Sequence, residues 1–70
     1  MHTEFTRHGG AYDRGSADSY YGREFNPHYF TGATYSSTRV DGADMTPEEI
    51  EAYSRGYEEN EMSGNFKDYA

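Results

Sequence analysis

The chain contains no leucine. Its branched aliphatic residues other than alanine amount to one isoleucine, Ile50, and one valine, Val40, beside eight tyrosines and four phenylalanines. An ordinary aliphatic core cannot be assembled from that inventory. Order must come from tyrosine faces together with Phe5, Phe25, Phe30 and Phe66. A buried tyrosine contributes a large apolar area but brings a hydroxyl that needs a partner. The core is therefore expected to be thin and laced with hydrogen bonds. Seventy residues allow one small domain, near the size at which a single core is marginal.

The absence of cysteine excludes a disulfide framework and a thiolate metal site, and it suits a reducing compartment. The longest apolar runs are dipeptides such as Tyr29-Phe30, far short of a membrane span. The first residues, Met1 to Phe5, lack the apolar stretch of a signal peptide. The expected location is the cytoplasm, with no membrane contact.

Net charge is −7, and its distribution is lopsided. In residues 1–40, Arg7, Arg14, Arg23 and Arg39 balance Glu4, Asp13, Asp18 and Glu24. In residues 41–70, Arg55 and Lys67 face Asp41, Asp44, Glu48, Glu49, Glu51, Glu58, Glu59, Glu61 and Asp68, so the whole imbalance lies there. Such a segment repels nucleic-acid phosphates and is attracted to a basic protein surface.

The same acidic half contains the best-marked element. Thr46-Pro47-Glu48-Glu49 reads as a helix start, with Thr46 as N-cap, Pro47 at N1 and Glu49 closing a capping box. Met45 and Ile50 occupy the two positions of a hydrophobic staple. Gly64 is a natural terminator, so the pattern predicts a helix from Pro47 to Ser63. Ile50, Tyr53 and Tyr57 form its apolar stripe. Gly56 lies beside the stripe. A mid-helix glycine costs about 1 kcal/mol, which points to close approach by another element.

A second helix is expected across Ala11–Gly22, with Ala17, Tyr20 and Tyr21 as its apolar positions. Asp13 or Ser16 would cap it, Gly15 weakens it, and Asn26-Pro27 would end it. Tyr20 or Tyr21 is expected to pack against Ile50, Tyr53 and Tyr57. Residues 28–44 admit two readings, a hairpin turning near Gly32 or an extended loop draped on the helices, and the loop is preferred. The expectation is a mainly α domain of two helices joined by a long loop over 11–64, with a tyrosine-rich core. Residues 1–10 are expected to be flexible, and the tail 65–70 either folds back or waits for a partner.

Catalysis is not expected. His2, His8 and His28 have neither i,i+4 partners nor cysteine help and read as surface histidines, so neither a metal nor another cofactor is predicted. The glutamates of the acidic helix lack the burial that shifts carboxyl pKa values. Asp41-Gly42-Ala43-Asp44 lacks calcium-loop spacing. There is no nucleophile motif and no phosphate loop. Arg14, Arg23, Tyr20, Tyr21 and Tyr29 mix cations with stacking faces, as single-strand binders do. The plainer and preferred reading makes those tyrosines core and pairs the arginines with acids.

Two stretches carry a family resemblance. Arg14-Gly15, six residues, then Gly22-Arg23, followed by Pro27 and Tyr29, resembles the first half of the ribosome modulation factor family, with His28 inserted into its Pro-Tyr. Tyr53-x-x-Gly56-Tyr57 is similar to that family's W-x-x-G-W. The resemblance implies two helices joined by an extended linker, packing on ribosomal RNA. Members of that family are strongly basic, whereas this chain carries −7. A wider similarity joins Arg14–Arg23, Thr46–Ile50 and Gly64–Tyr69 to small proteins of tailed bacteriophages, and it implies no established activity.

The function expected from these observations is a non-enzymatic, phage-type interaction module acting in the host cytoplasm. It would bind a basic surface of a host nucleic-acid-handling protein through Glu51, Glu58, Glu59 and Glu61, with Phe66 and Tyr69 as aromatic anchors. The alternative is a ribosome-associated factor using Arg14, Arg23 and Tyr29. A virion accessory protein is a further alternative, and self-association is left open.

Overall fold

Pro47–Ser63 is helical, as the sequence predicts, and both of its ends are built as expected. This is seen in a computed structural model that describes residues 9–32 and 38–67. The Thr46 hydroxyl accepts the Glu49 amide at 3.2 Å, and the Glu49 carboxylate accepts the Thr46 amide at 2.8 Å. The reciprocal bonds satisfy two of the amides that a helix start leaves orphaned. Met45 is buried and Ile50 packs against the same cluster, as the staple requires. Gly64 takes a left-handed φ of 71° and donates to the carbonyls of Asn60 and Glu61.

The chain order is α1 (Ala11–Tyr20), β1 (His28–Phe30), β2 (Arg39–Asp41), a 3-10 turn (Gly42–Asp44) and α2 (Pro47–Ser63). The domain is mainly α, two helices with a long connection between them. That connection is not a plain loop. β1 and β2 pair antiparallel with Tyr29 opposite Val40, and the Thr31 amide extends the ladder to the Thr38 carbonyl. The hairpin reading is therefore the right one. Val40, Tyr29 and Phe30 provide enough apolar surface to seat a two-stranded ribbon on the helices, and such a ribbon is only marginal in isolation.

α1 stops at Tyr20, earlier than Asn26-Pro27 would have required. Gly22 ends it at φ 71°, donating to Ser19 O while Arg23 N donates to Asp18 O. These are the two bonds of a Schellman motif with glycine in its left-handed position. At the other end Gly10 is the N-cap and makes no side-chain cap bond. The Asp13 carboxylate instead accepts the Gly9 amide at 2.9 Å. Gly9 and Gly10 are buried, and Gly9 O accepts from Phe30 N. Those two residues belong to the fold; the rest of the expected flexible N-terminus lies outside the described residues.

The helices meet through backbone. Ala11, Gly15 and Ser19 form an i, i+4, i+8 stripe on α1, and Ala52, Gly56 and Asn60 form the facing stripe on α2. A Cβ on Gly15 would strike the Tyr53 carbonyl and lie 3.0 Å from Tyr57 N. A Cβ on Gly56 would strike the Tyr12 carbonyl and lie 3.1 Å from Ser16 N. The crossing is thus a reciprocal pair of glycines. Gly56 was expected at a close approach; Gly15, read from the sequence as a weakness, is its counterpart.

At the crossing itself the contact is made by backbone and not by Tyr20 or Tyr21. Side chains of that size do not fit where two backbones touch. Tyr21 is exposed, edge-on to Tyr20 and beneath the Arg23 guanidinium. Among the described residues, the rings that meet fully buried Tyr53 are Phe25, His28 and Tyr57. The first part of the tail, residues 65–67, turns back, since Lys67 N donates to Tyr20 O at 2.7 Å and Asn60 Nδ2 donates to Asn65 O at 2.9 Å. Residues 68–70 lie outside the described residues. No helix among the described residues is long and apolar enough to cross a membrane.

Candidate functional site

The fold has a polar anchor beneath its surfaces. The Tyr53 hydroxyl donates to the Asp18 carboxylate, accepts the Asn26 amide at 3.2 Å, and is completely buried. Burial first, then the Asp18 bond, pushes the Tyr53 pKa well above that of an ordinary phenol. Asp18 is itself buried, 3.4 Å from an Arg23 nitrogen and 3.7 Å from His28 Nδ1. Tyr57 donates to Arg23 O at 2.6 Å. Two tyrosines of α2 therefore hold the segment that follows α1. This solves the partner problem that a tyrosine core creates.

The acidic residues divide into two sets. Glu59 accepts from the Tyr12 hydroxyl, and that bond is the largest cause of the raised Tyr12 pKa. Glu61 accepts from Ser19 at 2.6 Å, and Ser19 in turn accepts from Asn60 at 2.9 Å. Both carboxylates, expected to await a partner, are ties to α1. Their neighbours face outward. Glu48, Glu51, Arg55, Glu58 and Met62 follow i, i+3, i+7, i+10, i+14 spacing, which keeps them on one helical face, and all are exposed. The face runs about 21 Å along α2. Arg55 lies 3.7 Å from Glu51. The side chains of Glu48 and Glu58 make no hydrogen bond or ion pair among the described residues. Met62 is 87% exposed, an apolar end to an acidic strip. Phe66 is exposed beyond it, and Tyr69 lies outside the described residues.

The cationic residues are gathered elsewhere. A cleft of about 540 Å³ opens between α1, the segment after it and the hairpin, lined by Arg14, Asp18, Arg23, Glu24, His28 and Arg39 with Phe30. Arg14 and Arg23, expected as RNA contacts, both reach it. Tyr29 instead packs against the core. Arg14 is nine-tenths buried and ion-paired with Asp13 at 3.2 Å. His28, expected at the surface, is 5% exposed. Its imidazole packs against Phe30 and Tyr53, with Nδ1 2.9 Å from Asn26 O. In a chain without leucine, an aromatic ring of any kind is valuable filling, and this one finds polar partners as well. His2 and His8 lie outside the described residues.

The sequence reading missed Gly15, Asp18, Ser19 and Asn60. The spacing Ala11, Gly15, Ser19 was available as a small-residue stripe and could have indicated the crossing. Asp18 had no comparable signal. No family model, curated relative or solved structure matches this chain.

Proposed function

We propose that this protein is a non-enzymatic interaction module that docks the outer face of α2 on a basic surface of a nucleic-acid-handling protein. The reading extends to a phage-type protein at work in the cytoplasm of its host. The observation that carries it is the outward strip of Glu48, Glu51 and Glu58 ending at exposed Met62. Exposed carboxylates on a helix, of which only Glu51 has a cationic neighbour among the described residues, Arg55, steer association with a cationic partner. One exposed apolar side chain at the end of the strip is a natural anchor. A partner that normally holds phosphate backbone offers the matching charge.

The test is affinity capture from host lysate followed by association kinetics on the captured partner. Glu48→Lys, Glu51→Lys and Glu58→Lys together reverse the outward strip and leave Glu59 and Glu61, which hold the fold, untouched. The triple variant is expected to associate at least tenfold more slowly at low salt, with a flatter dependence on ionic strength. Association at the parent rate at low salt removes the proposal. Recovery of ribosomal RNA with the parent protein favours the ribosome-associated reading, and recovery of phage structural proteins alone favours the virion reading.

A further inference from the structure

We propose that the cleft between α1 and the hairpin is a binding site for a phosphate group, held by Arg14, Arg39 and His28. No residue of α2 lines this cleft, so the proposal stands apart from docking by the acidic face.

The first ground is unspent hydrogen-bonding capacity in buried groups. The Arg14 side chain is 10% exposed. Its Nε and Nη2 both go to one oxygen of Asp13, at 3.3 and 3.2 Å. Nη1 has no acceptor among the described residues. A buried guanidinium edge without an acceptor is costly, and guanidinium forks are suited to phosphate oxygens. Arg39 spends Nε on Asp41 at 2.7 Å and keeps its two terminal nitrogens.

The second ground is His28, whose side chain is 7% exposed. Nδ1 lies 2.9 Å from a carbonyl oxygen, which can only accept, so Nδ1 bears a proton. Nε2 then carries the lone pair of the neutral ring and has no partner among the described residues. A phosphate group suits this arrangement better than a carboxylate. It has enough oxygens for arginines arriving from two different elements. It can also exchange roles with Nε2, donating from P–OH to the neutral ring or accepting from the protonated one.

The third ground is the grouping of donors and the size of the cleft. Three arginines and two carboxylates, Asp18 and Glu24, line the cleft. Arg14 and Arg39 each also hold a carboxylate outside it, Asp13 and Asp41, so the ground is the grouping of guanidinium donors and not a net positive charge. Asp18 is already engaged by Tyr53 and Arg23. The volume falls within the range of small-molecule sites, and Phe30 provides an apolar wall.

The experiment titrates the full chain with inorganic phosphate, with adenosine monophosphate and with a single-stranded hexaribonucleotide. Binding is followed by the NMR signals of the Arg14 Nε–H and the His28 ring. Saturable shifts of both signals are expected with inorganic phosphate. Arg39→Gln, an exposed change on an edge strand, is expected to weaken binding about tenfold or more while leaving the circular dichroism spectrum unchanged. Arg14→Gln tests the buried partner, with the same spectrum as its check on folding. Tighter binding of adenosine monophosphate than of the hexanucleotide identifies a free phosphomonoester as the source. The reverse order, still sensitive to Arg39→Gln, assigns the site to an RNA phosphate. Unmoved Arg14 and His28 signals with all three probes, or equal binding by Arg39→Gln and the parent, overturn the proposal.

Discussion

The two faces of α2 both use glutamate and put it to opposite uses. On the inner face, Gly56 lets the α1 backbone approach to contact, Tyr53 is buried on Asp18, and Glu61 accepts from Ser19. On the outer face, Glu48, Glu51 and Glu58 stand in solvent with Met62. Glutamates 58, 59 and 61 are all exposed, but only Glu59 and Glu61 hydrogen-bond to α1. Net charge alone therefore overstates how much of the acidic half is available to a partner. Position around the helix, rather than residue type, decides which carboxylates stabilise the fold.

The strongest way to break the contrast is to fill the crossing. Gly56→Leu, or Gly15→Leu, places side-chain atoms into the facing backbone, so neither is relieved by a rotamer change. Each is expected to cost more than about 4 kcal/mol and to abolish cooperative thermal unfolding, despite a gain in helix propensity of up to about 1 kcal/mol. A folded and more helical Gly56→Leu protein would show that Gly56 faces solvent.

A smaller effect is expected at the buried anchor. Tyr53→Phe leaves the ring but removes the donor to Asp18, and should cost about 1–3 kcal/mol in denaturant unfolding. The same bond predicts a pH dependence. The Tyr53 pKa is raised in the folded state, so its contribution to stability is complete below the unfolded tyrosine value of about 10. As pH rises beyond that value, unfolding releases a proton and stability falls. Tyr57 and Tyr12 are shifted the same way. The melting temperature should therefore drop between about pH 10 and 12, and Tyr53→Phe should make the drop shallower. An equal slope in both proteins would detach the anchor from the effect.

Thr46→Ala asks whether the helix survives without its cap. A loss of about 1 kcal/mol is expected, read as a lower melting temperature by circular dichroism. An unchanged curve would mean that the capping box contributes nothing measurable.

The smallest effects sharpen the comparison most directly. Glu61→Ala takes the acceptor from buried Ser19 and should cost about 0.5–1 kcal/mol, whereas Glu58→Ala should stay within about 0.5 kcal/mol of the parent. Equal effects of the two on unfolding would erase the distinction between the faces.

Local rules decided a good deal of this structure from the sequence. The cap at Thr46, the stop at Gly64, the stripe through Tyr53 and the close approach at Gly56 depend on residues within a turn or two of one another, where geometry is fixed by the helix itself. The hairpin was harder. Its strands are three residues each, and their apolar content decides nothing until the helices provide a surface. The candidate sites were legible in part. The acid-rich helix announced itself, as did Arg14 and Arg23. The grouping of Arg39 and His28 with them depends on the hairpin's register and on where α1 ends.

What the sequence by itself determined was the kind of core: with no leucine, one Ile and one Val, tyrosine had to be buried and its hydroxyl had to be satisfied. It did not choose the partner. Asp18 lies 35 residues from Tyr53, and Ser19 lies 42 from Glu61. Only the crossing of two helices through Gly15 and Gly56 brings those groups within hydrogen-bonding distance. Tertiary structure also decided which glutamates reach a donor on α1. Rotation about the helix axis is set by the face that packs best, and here that face is the one on which a missing side chain lets backbone meet backbone.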